Sequence, residues 1–297
     1  MVHQTGIGIT TQDLADRVSI GITTKNRWQD LQTTFAKIEE AGLEALPILV
    51  FDDGSDYPCP FDITAFALKV KLKRFTDSKG LIVRRNQLAQ AMTTKYYLSL
   101  DDDSFPVSGS LQAAIEFAES CEDLLCLSFP VYNPVLGEYE NQSVQKKPYH
   151  VRSFIGCGHL LHRQNFLQLG GYCEELIHQG EEMEIAARAF QKGLCCYHFP
   201  GFEIHHTASN AGRNWHRMDF YGARNNVLWN DWFVPSQLKF IKQSRTFVSR
   251  LIHCIKVSRI GQMQGELAGF RDIPRYKANR KTMPLELFRQ WQDLYHS

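Results

Sequence analysis

From Val18 onward, short runs rich in β-branched and aromatic residues alternate with amphipathic segments of helical period, and several of the runs end directly in acidic or polar clusters. That alternation specifies an α/β sheet with helices packed on its faces. "VSIGITT" reads as the first strand, and "WQDLQTTFAKIEEAG" places Leu31, Phe35 and Ile38 on one helical face before stopping at Gly42. "LPILVFDDGS" repeats the order of strand, acids and turn. A helix near Ile82 to Met92 leads into a strand at Tyr96 to Leu100, and "SLQAAIEFAES" reads as the next helix. Further along, "LLCLSF", "SFIGCGHLLHR" and "LCCYHFPGFEIHH" have strand character, with the helix-like "GEEMEIAARAFQKG" between the last two. Beyond Pro235 the strand signals stop and the chain becomes basic and helical. The expected organisation is an N-terminal extension over 1–17, one α/β unit over 18–234 and a C-terminal helical extension over 235–297.

Three polar clusters fall where strands end: Thr23 to Arg27, Asp52 to Asp56, and Asp101 to Asp103. In open α/β sheets ligands collect outside the carboxyl ends of the strands, where loops converge over a rigid frame. "DDGS" alone is also a turn signature. Three consecutive aspartates are harder to explain by stability, because adjacent carboxylates repel. A hard divalent cation with a diphosphate would balance them, one aspartate on the metal and another on ribose hydroxyls. No GxxxxGK[ST] loop is present and no GxGxxG follows a strand, so neither a P-loop nor a dinucleotide fold has its own signal.

Charge narrows the partners. The 33 basic and 32 acidic residues leave a formal charge of +1, which gives no polyanion-binding signal, and nucleic acid is not an expected partner. The eight cysteines form no CxxC pair, so structural zinc is not expected and a reducing compartment is. No apolar run approaches the roughly 20 residues that span a bilayer, and the first residues lack a signal-peptide pattern. The expected location is cytoplasmic.

The ordered motifs resemble the inverting, nucleotide-sugar-dependent glycosyltransferases of family 2, with their GT-A fold: a Rossmann-like mixed sheet flanked by helices. "VSIGITTKNR", "ILVFDDGSD", "KGLIVRRNQLAQA", "LSLDDDSFP" and the segment running from "FIGCGHLLHR" to "GEEMEIAARAFQKG" occur in the family's order over roughly Val18 to Trp232. The resemblance implies a nucleoside diphosphate sugar donor, a UDP- or dTDP-sugar, and a hydroxyl acceptor such as a lipid-linked or envelope glycan. It implies Mn2+ or Mg2+ as cofactor. Thr23 and Asp53 would meet the base, with Asp52 assisting; Asp101 would contact ribose and Asp103 the metal. Asn26, Arg27, Gly80, Arg85, Asn86 and Asp102 fall in the same donor-side motifs. Where the family usually has Glu-Asp, this chain has Glu181-Glu182, so Glu182 inherits the role of catalytic base with one extra methylene of reach.

Two histidines close the pattern. The family commonly has one at the end of "FEIHH", and the Ile-x-His spacing favours His206 as a metal ligand, while His159 and His162 read as structural. Arg224, in "GARNNVLW", is expected either to reach the diphosphate or to brace its helix. Acids at a helix start, with Glu184 and Arg188 four apart, also fit a plain helix N-terminus that favours the carboxylate form of Glu182. A nucleotidyltransferase on a related frame and a non-catalytic carbohydrate-binding relative stay open as other classes. Residues 236–260 interleave Lys239, Lys242, Arg245, Arg250, Lys256 and Arg259 with apolar positions, and no acid occurs from Trp232 to Gly265. That pattern fits either a helix docked on the body or one lying on an anionic membrane surface.

Overall fold

The protein is described by a computed structural model covering residues 11–208, 214–257 and 259–296. Residues 1–10 of the expected N-terminal extension lie outside the described residues. The rest of that extension is a short helix, α1 (Thr11–Arg17), which leads directly into β1 (Val18–Thr24). Every residue of β1 is buried, which is the requirement of a central strand covered on both faces. Next come α2 (Trp28–Glu40), β2 (Pro47–Asp52), β3 (Lys69–Arg74), α3 (Leu81–Ala91) and β4 (Tyr96–Asp101). β3, "KVKLKR", has the alternating lysines of a strand at a sheet edge.

The chain continues through β5 (Ser104–Gly109), α4 (Leu111–Ser120), β6 (Leu124–Ser128), β7 (Val131–Asn133), β8 (Glu138–Asn141), β9 (Tyr149–Val151), β10 (His159–His162) and α5 (Arg163–Gln168). Ser110 caps α4 by accepting from the amide of Ala113 at 3.1 Å. Then come α6 (Glu181–Phe190), β11 (Cys195–His198), β12 (Phe202–His206), α7 (Trp215–Phe233), α8 (Ser236–Val257), α9 (Ile260–Asp272) and α10 (Leu285–Asp293).

Among the described residues the strands form a mixed eight-stranded sheet, in the order β3-β2-β1-β4-β10-β6-β11-β9, and a four-stranded sheet, β5-β12-β7-β8. β1 to β4 run parallel, whereas β10 is antiparallel to both β4 and β6. Two expectations change in detail. "SFIGCGHLLHR" is strand only over His159–His162, because the glycine-containing stretch before it bends to bring its backbone onto buried side chains. "LCCYHFPGFEIHH" divides at the Pro200-Gly201 turn, so that β11 joins the large sheet and β12 the small one.

The two faces of the large sheet carry separate apolar cores. One gathers Leu31, Phe35 and Ile38 of α2 with Leu111 and Ile115 of α4. The other gathers Ile185 of α6, Trp229, Trp232 and Phe233 of α7, and Met283, Phe288 and Trp291 from the end of the chain. The C-terminal helices are therefore part of the packed body through α10, with Trp291 stacked on Trp229 at 5.1 Å.

Candidate functional site

The carboxyl ends of β1, β2 and β4 are adjacent because the strands pair in register, with Thr23 opposite both Phe51 and Asp101. Loops after these strands bring the expected donor-side residues together. Asn26 takes a positive φ of 59°, a conformation asparagine tolerates better than most residues. It ties the first loop to the second: its amide donates to Ser55 Oγ at 2.8 Å, its side-chain amide donates to Asp56, and its Oδ1 accepts from the Asp56 amide. Asp52 is fully buried and accepts from both the amide and the hydroxyl of Ser55, with Arg74 Nε 3.3 Å away.

Asp53 fastens the start of α3. Its two oxygens accept from the Ser78 hydroxyl, the amides of Lys79 and Gly80, and Arg84 Nε at 2.7 Å. Burial opposes its ionisation, yet these donors outweigh burial and hold the carboxyl below its usual range. Gly80 has φ 92°, so a side chain would strain the turn that delivers its amide to Asp53. Arg84, which the family motifs do not single out, lies over the Phe75 ring at 3.6 Å. The doubled arginine in "VRRN", flanked by apolar residues in a helical segment, is the signal that could have found it.

The three consecutive aspartates diverge to three cationic settings. Asp101 Oδ1 lies 2.6 Å from Arg85 Nη2. Asp102 is buried beside Arg27 Nη1 at 3.1 Å, and burial raises its pKa well above the usual value, although Arg27 pulls the other way. Asp103 Oδ2 lies 2.6 Å from Arg27 Nη2. Its Oδ1 is buried without a well-aligned hydrogen bond, with His206 Nε2 3.3 Å away. Burial opposes ionisation of Asp103, but His206 and Arg27 prevail and lower it to about 2.

His206 is central to two ligand clusters. Potential ligand atoms of Asp101, Asp103 and His206 all lie within 4.8 Å of one another, and so do those of Glu140, Cys157 and His206. His206 Nδ1 lies 2.8 Å from Glu140 Oε2. Burial disfavours the imidazolium, yet Asp103, Cys157 and Glu140 raise its pKa far above the ordinary histidine range. Glu140 and Cys157 carried no sequence signal, since each is distant from the aspartate motif along the chain.

The acid pair sits at the start of α6, behind Gly180 in a left-handed conformation. Arg85, 2% exposed, joins it to the donor side: Nη1 is 3.6 Å from Glu181 Oε1 and 3.5 Å from Glu182 Oε1, while Nη2 donates to the Gly156 carbonyl at 2.9 Å as well as to Asp101. A Cβ at Gly156 would fall 2.4 Å from Glu182 and 2.7 Å from Arg85, so only glycine allows this approach. Burial, then Glu181, pushes Glu182 up to about 8, with Arg85 opposing, and Glu181 is likewise raised by burial. The favoured-carboxylate expectation from the helix N-terminus is thus reversed: desolvation and the adjacent acid outweigh a terminal dipole.

Other expected residues have structural attachments. Asn86 bonds to both the carbonyl and the amide of Tyr172 and donates to Glu174. Arg224 is engaged by Asp272 at 2.7 Å, the Glu175 carbonyl and Asn225, which is the bracing geometry. Glu184 and Arg188 form the expected i,i+4 pair at 2.6 Å. His159 is buried between the Ile155 carbonyl and the Tyr172 hydroxyl, and burial lowers its pKa to about 3. His162 caps α5.

Comparison with known proteins adds to this geometry. Residues 19–170 match the description "Glycosyl transferase family 2". The pre-mycofactocin glycosyltransferase of Mycobacterium tuberculosis (strain ATCC 25618 / H37Rv) is 25% identical over 200 residues, covering 61% of this chain and 42% of that protein. The chain therefore spans about two fifths of the length of the curated relatives it matches. Among solved structures, GalNAc-T7 with UDP, GalNAc and Mn2+ is similar with a TM-score of 0.62 at 17% identity, over 77% of this chain and 50% of that one. The mannosyltransferase PcManGT from Pyrobaculum calidifontis, in complex with GDP-Man and Mn2+, gives 0.58 at 14% identity, over 93% and 78%. S. aureus TarS in complex with UDP-GlcNAc gives 0.52 at 16%, over 72% and 66%. At these identities the likeness establishes the GT-A fold.

Proposed function

The chain belongs to glycosyl transferase family 2, and on that premise we propose that it moves one sugar, with inversion, from a nucleoside diphosphate sugar to a hydroxyl acceptor. The observation that carries the reading is the buried Oδ1 of Asp103, without a well-aligned hydrogen bond and facing His206 Nε2 beside Asp101. This donor set fits a divalent cation: oxygen and imidazole ligands suit Mn2+, and the carboxylates suit Mg2+. Asp103 and His206 would hold it, and Asp101 would face the ribose. When bound, such a cation supplies Lewis-acid stabilisation to a leaving diphosphate.

The chain's own groups do the rest. Glu182 accepts the proton of the acceptor hydroxyl as that oxygen attacks the anomeric carbon, opposite the departing diphosphate. A base raised to about 8 is well matched to proton transfer near neutral pH. Arg85 fixes the acid pair relative to Asp101, and Glu181 raises Glu182 by its charge. Arg27, with its side chain 44% exposed and its nitrogens on Asp30, Asp102 and Asp103, is the half-exposed guanidinium that would exchange a carboxylate for a diphosphate. Thr23, Asp52, Asp53, Gly80, Asn86 and Asp102 shape the donor side beneath it. All these residues fall within 18–234, which supports that stretch as the catalytic unit and 235–297 as an extension docked on it. Incubation with UDP-, dTDP- and GDP-sugars, with and without Mn2+, tests the proposal. Metal-dependent donor hydrolysis is expected, and donor binding without hydrolysis or transfer in any combination would favour the carbohydrate-binding alternative.

The proposal extends to an anionic membrane surface as a partner, which suits a lipid-linked acceptor. No helix of the described residues is long and apolar enough to cross a membrane. α8 instead turns polar groups inward: Lys239 to Asp231, Gln243 to the Val227 carbonyl, and Arg250 to Glu266. Phe240, Ile241, Val248, Leu251, Ile252 and Ile255 are exposed, with Arg245 and Lys256 also exposed. Of the expected bases, Arg259 is paired with Asp219 and Lys242 lies over Trp229 and Phe288. Contact with lipid on this arrangement is driven more by apolar insertion than by the count of bases.

A further inference from the structure

The opposite end of the large sheet holds a third ligand cluster, away from the aspartates and His206. Ligand atoms of Asp123, His150 and Cys195 all lie within 4.8 Å of one another. They come from three separate segments: the turn between α4 and β6, strand β9, and the first residue of β11. The pairing explains the convergence. His150 is opposite Tyr197 in the β9–β11 ladder, and Cys195, two residues from Tyr197, shares its face. Strand alternation points Cys195 away from the core that Cys196 enters, and the ladder to β6 is irregular between these two residues.

We infer that Asp123, His150 and Cys195 form a binding site for a borderline-soft divalent cation of the Zn2+ type, separate from the glycosyl-transfer centre. One thiolate, one imidazole and one carboxylate are the ligand types zinc takes, and three protein ligands with an exposed histidine leave the fourth position to water. The set is also supported from outside. Tyr197 donates its hydroxyl to Asp123 Oδ1 at 2.8 Å, the Asp123 carbonyl accepts from the Cys195 amide at 2.7 Å, and the His150 ring packs on Tyr197 with centroids 4.4 Å apart. Binding releases the Cys195 thiol proton to solvent.

The place of the site gives it a consequence. It lies where β6 and β11 begin, whereas the aspartates lie where β1, β2 and β4 end. A cation there ties β9, a three-residue strand at the edge of the large sheet, to the α4–β6 turn. β9 runs directly into the 152–158 stretch, whose Gly156 carbonyl holds Arg85 and whose Cys157 lies in the His206 cluster. The cation is a clip on the segment that borders the acid pair. The cluster is illegible in sequence because its members are 27 and 45 residues apart and none belongs to a CxxC motif.

The test uses Co2+ as an optical substitute for Zn2+, added to the full chain in excess Mg2+ so that the oxygen-rich site is already filled. A thiolate-to-cobalt charge-transfer band at one equivalent, displaced by Zn2+, is expected. It should vanish in Cys195→Ser and persist in Cys157→Ser. His150→Ala should weaken Co2+ binding at least tenfold, and Tyr197→Phe, which removes only the supporting hydroxyl, by about 10- to 100-fold. Absence of a thiolate band overturns the site. So does a band that survives Cys195→Ser, one lost in Cys157→Ser, which moves the soft ligand to the His206 cluster, or one unchanged in His150→Ala.

Discussion

Arg27 Nη2 lies 2.6 Å from Asp103 Oδ2, so the carboxylate proposed to hold the catalytic cation already has a cationic partner in the chain. His206 is the second, on the other oxygen. From sequence, three adjacent aspartates look like a charge liability without a metal. The fold removes most of that liability by giving each of them a basic neighbour.

Asp103→Asn should therefore do two things: abolish metal-dependent donor binding, and lower rather than raise the stability of the ligand-free protein at neutral pH. The sign follows from the depressed pKa. Asp103 falls from an ordinary value near 3.8 to about 2, so its contribution is present above 3.8 and is lost as pH falls through 2. Thermal unfolding of parent and variant at pH 7 and pH 3 should show the gap narrowing at the lower pH. Calorimetry with nucleoside diphosphate and Mn2+ reads the binding arm, and parental affinity in the variant would remove Asp103 from the metal site.

Glu182→Gln should keep donor affinity and lose turnover by about 10² to 10⁴, the usual range for a general base. In the parent, kcat should rise with pH through about 8 as the carboxylate forms, and that limb should disappear in the variant. Stability moves the opposite way. A carboxyl raised on folding stabilises fully below its unfolded value near 4.5 and loses that contribution as pH rises through about 8. The variant should then gain on the parent in unfolding temperature between pH 5 and pH 9. A flat difference across that interval would contradict the raised pKa.

Arg85→Ala should be the most damaging single change at the site. It leaves Asp101, Glu181 and Glu182 without their shared guanidinium, and breaking a buried ion pair from one side costs about 3–5 kcal/mol. Arg85→Lys keeps the charge but not the fork whose Nη2 holds Asp101 and the Gly156 carbonyl while Nη1 faces Glu181 and Glu182. Denaturant unfolding should rank the parent above lysine and lysine above alanine. Equal stability of all three would show that the cluster does not depend on Arg85.

Ile252→Ser with Ile255→Ser should cut binding to phosphatidylglycerol vesicles sharply without changing hydrolysis of a soluble donor. Because several bases of α8 have internal partners, raising the salt concentration well above physiological should weaken vesicle binding less than the double serine change does. Co-sedimentation measures both. Parental protein that stays wholly in the supernatant would leave the exposed face without a lipid partner.

The order of strand-like and helix-like segments along the chain determined the fold class by itself. Apolar period two in "VSIGITT" and "YYLSL", and period 3.6 in "WQDLQTTFAKIEEAG", are local properties that survive any rearrangement of loops. They were enough for the sheet, its covering helices and the strand-end position of Asp52, Asp53 and Asp101 to Asp103. The positions of Glu181 and Glu182 at the start of a helix were equally legible. What those groups experience was not. The same glutamates that a helix N-terminus would ionise are raised by burial. Desolvation depends on what packs around a group, and Gly156 and Arg85 reach Glu182 from 26 and 97 residues away.

Tertiary structure also decided which cation meets which acid. Arg27, Arg85 and His206 are spread over about 180 residues, and sequence spacing carries no information on which of them lies about 3 Å from a given aspartate. The basic, apolar rhythm of 236–260 specified an amphipathic helix but not its orientation. Orientation was set by Asp231, Glu266 and the Val227 carbonyl, polar groups on the body whose burial requires partners. They draw the polar side of α8 inward and leave its apolar side facing out. Period is a property of neighbours along the chain, whereas burial, pairing and facing belong to neighbours in space.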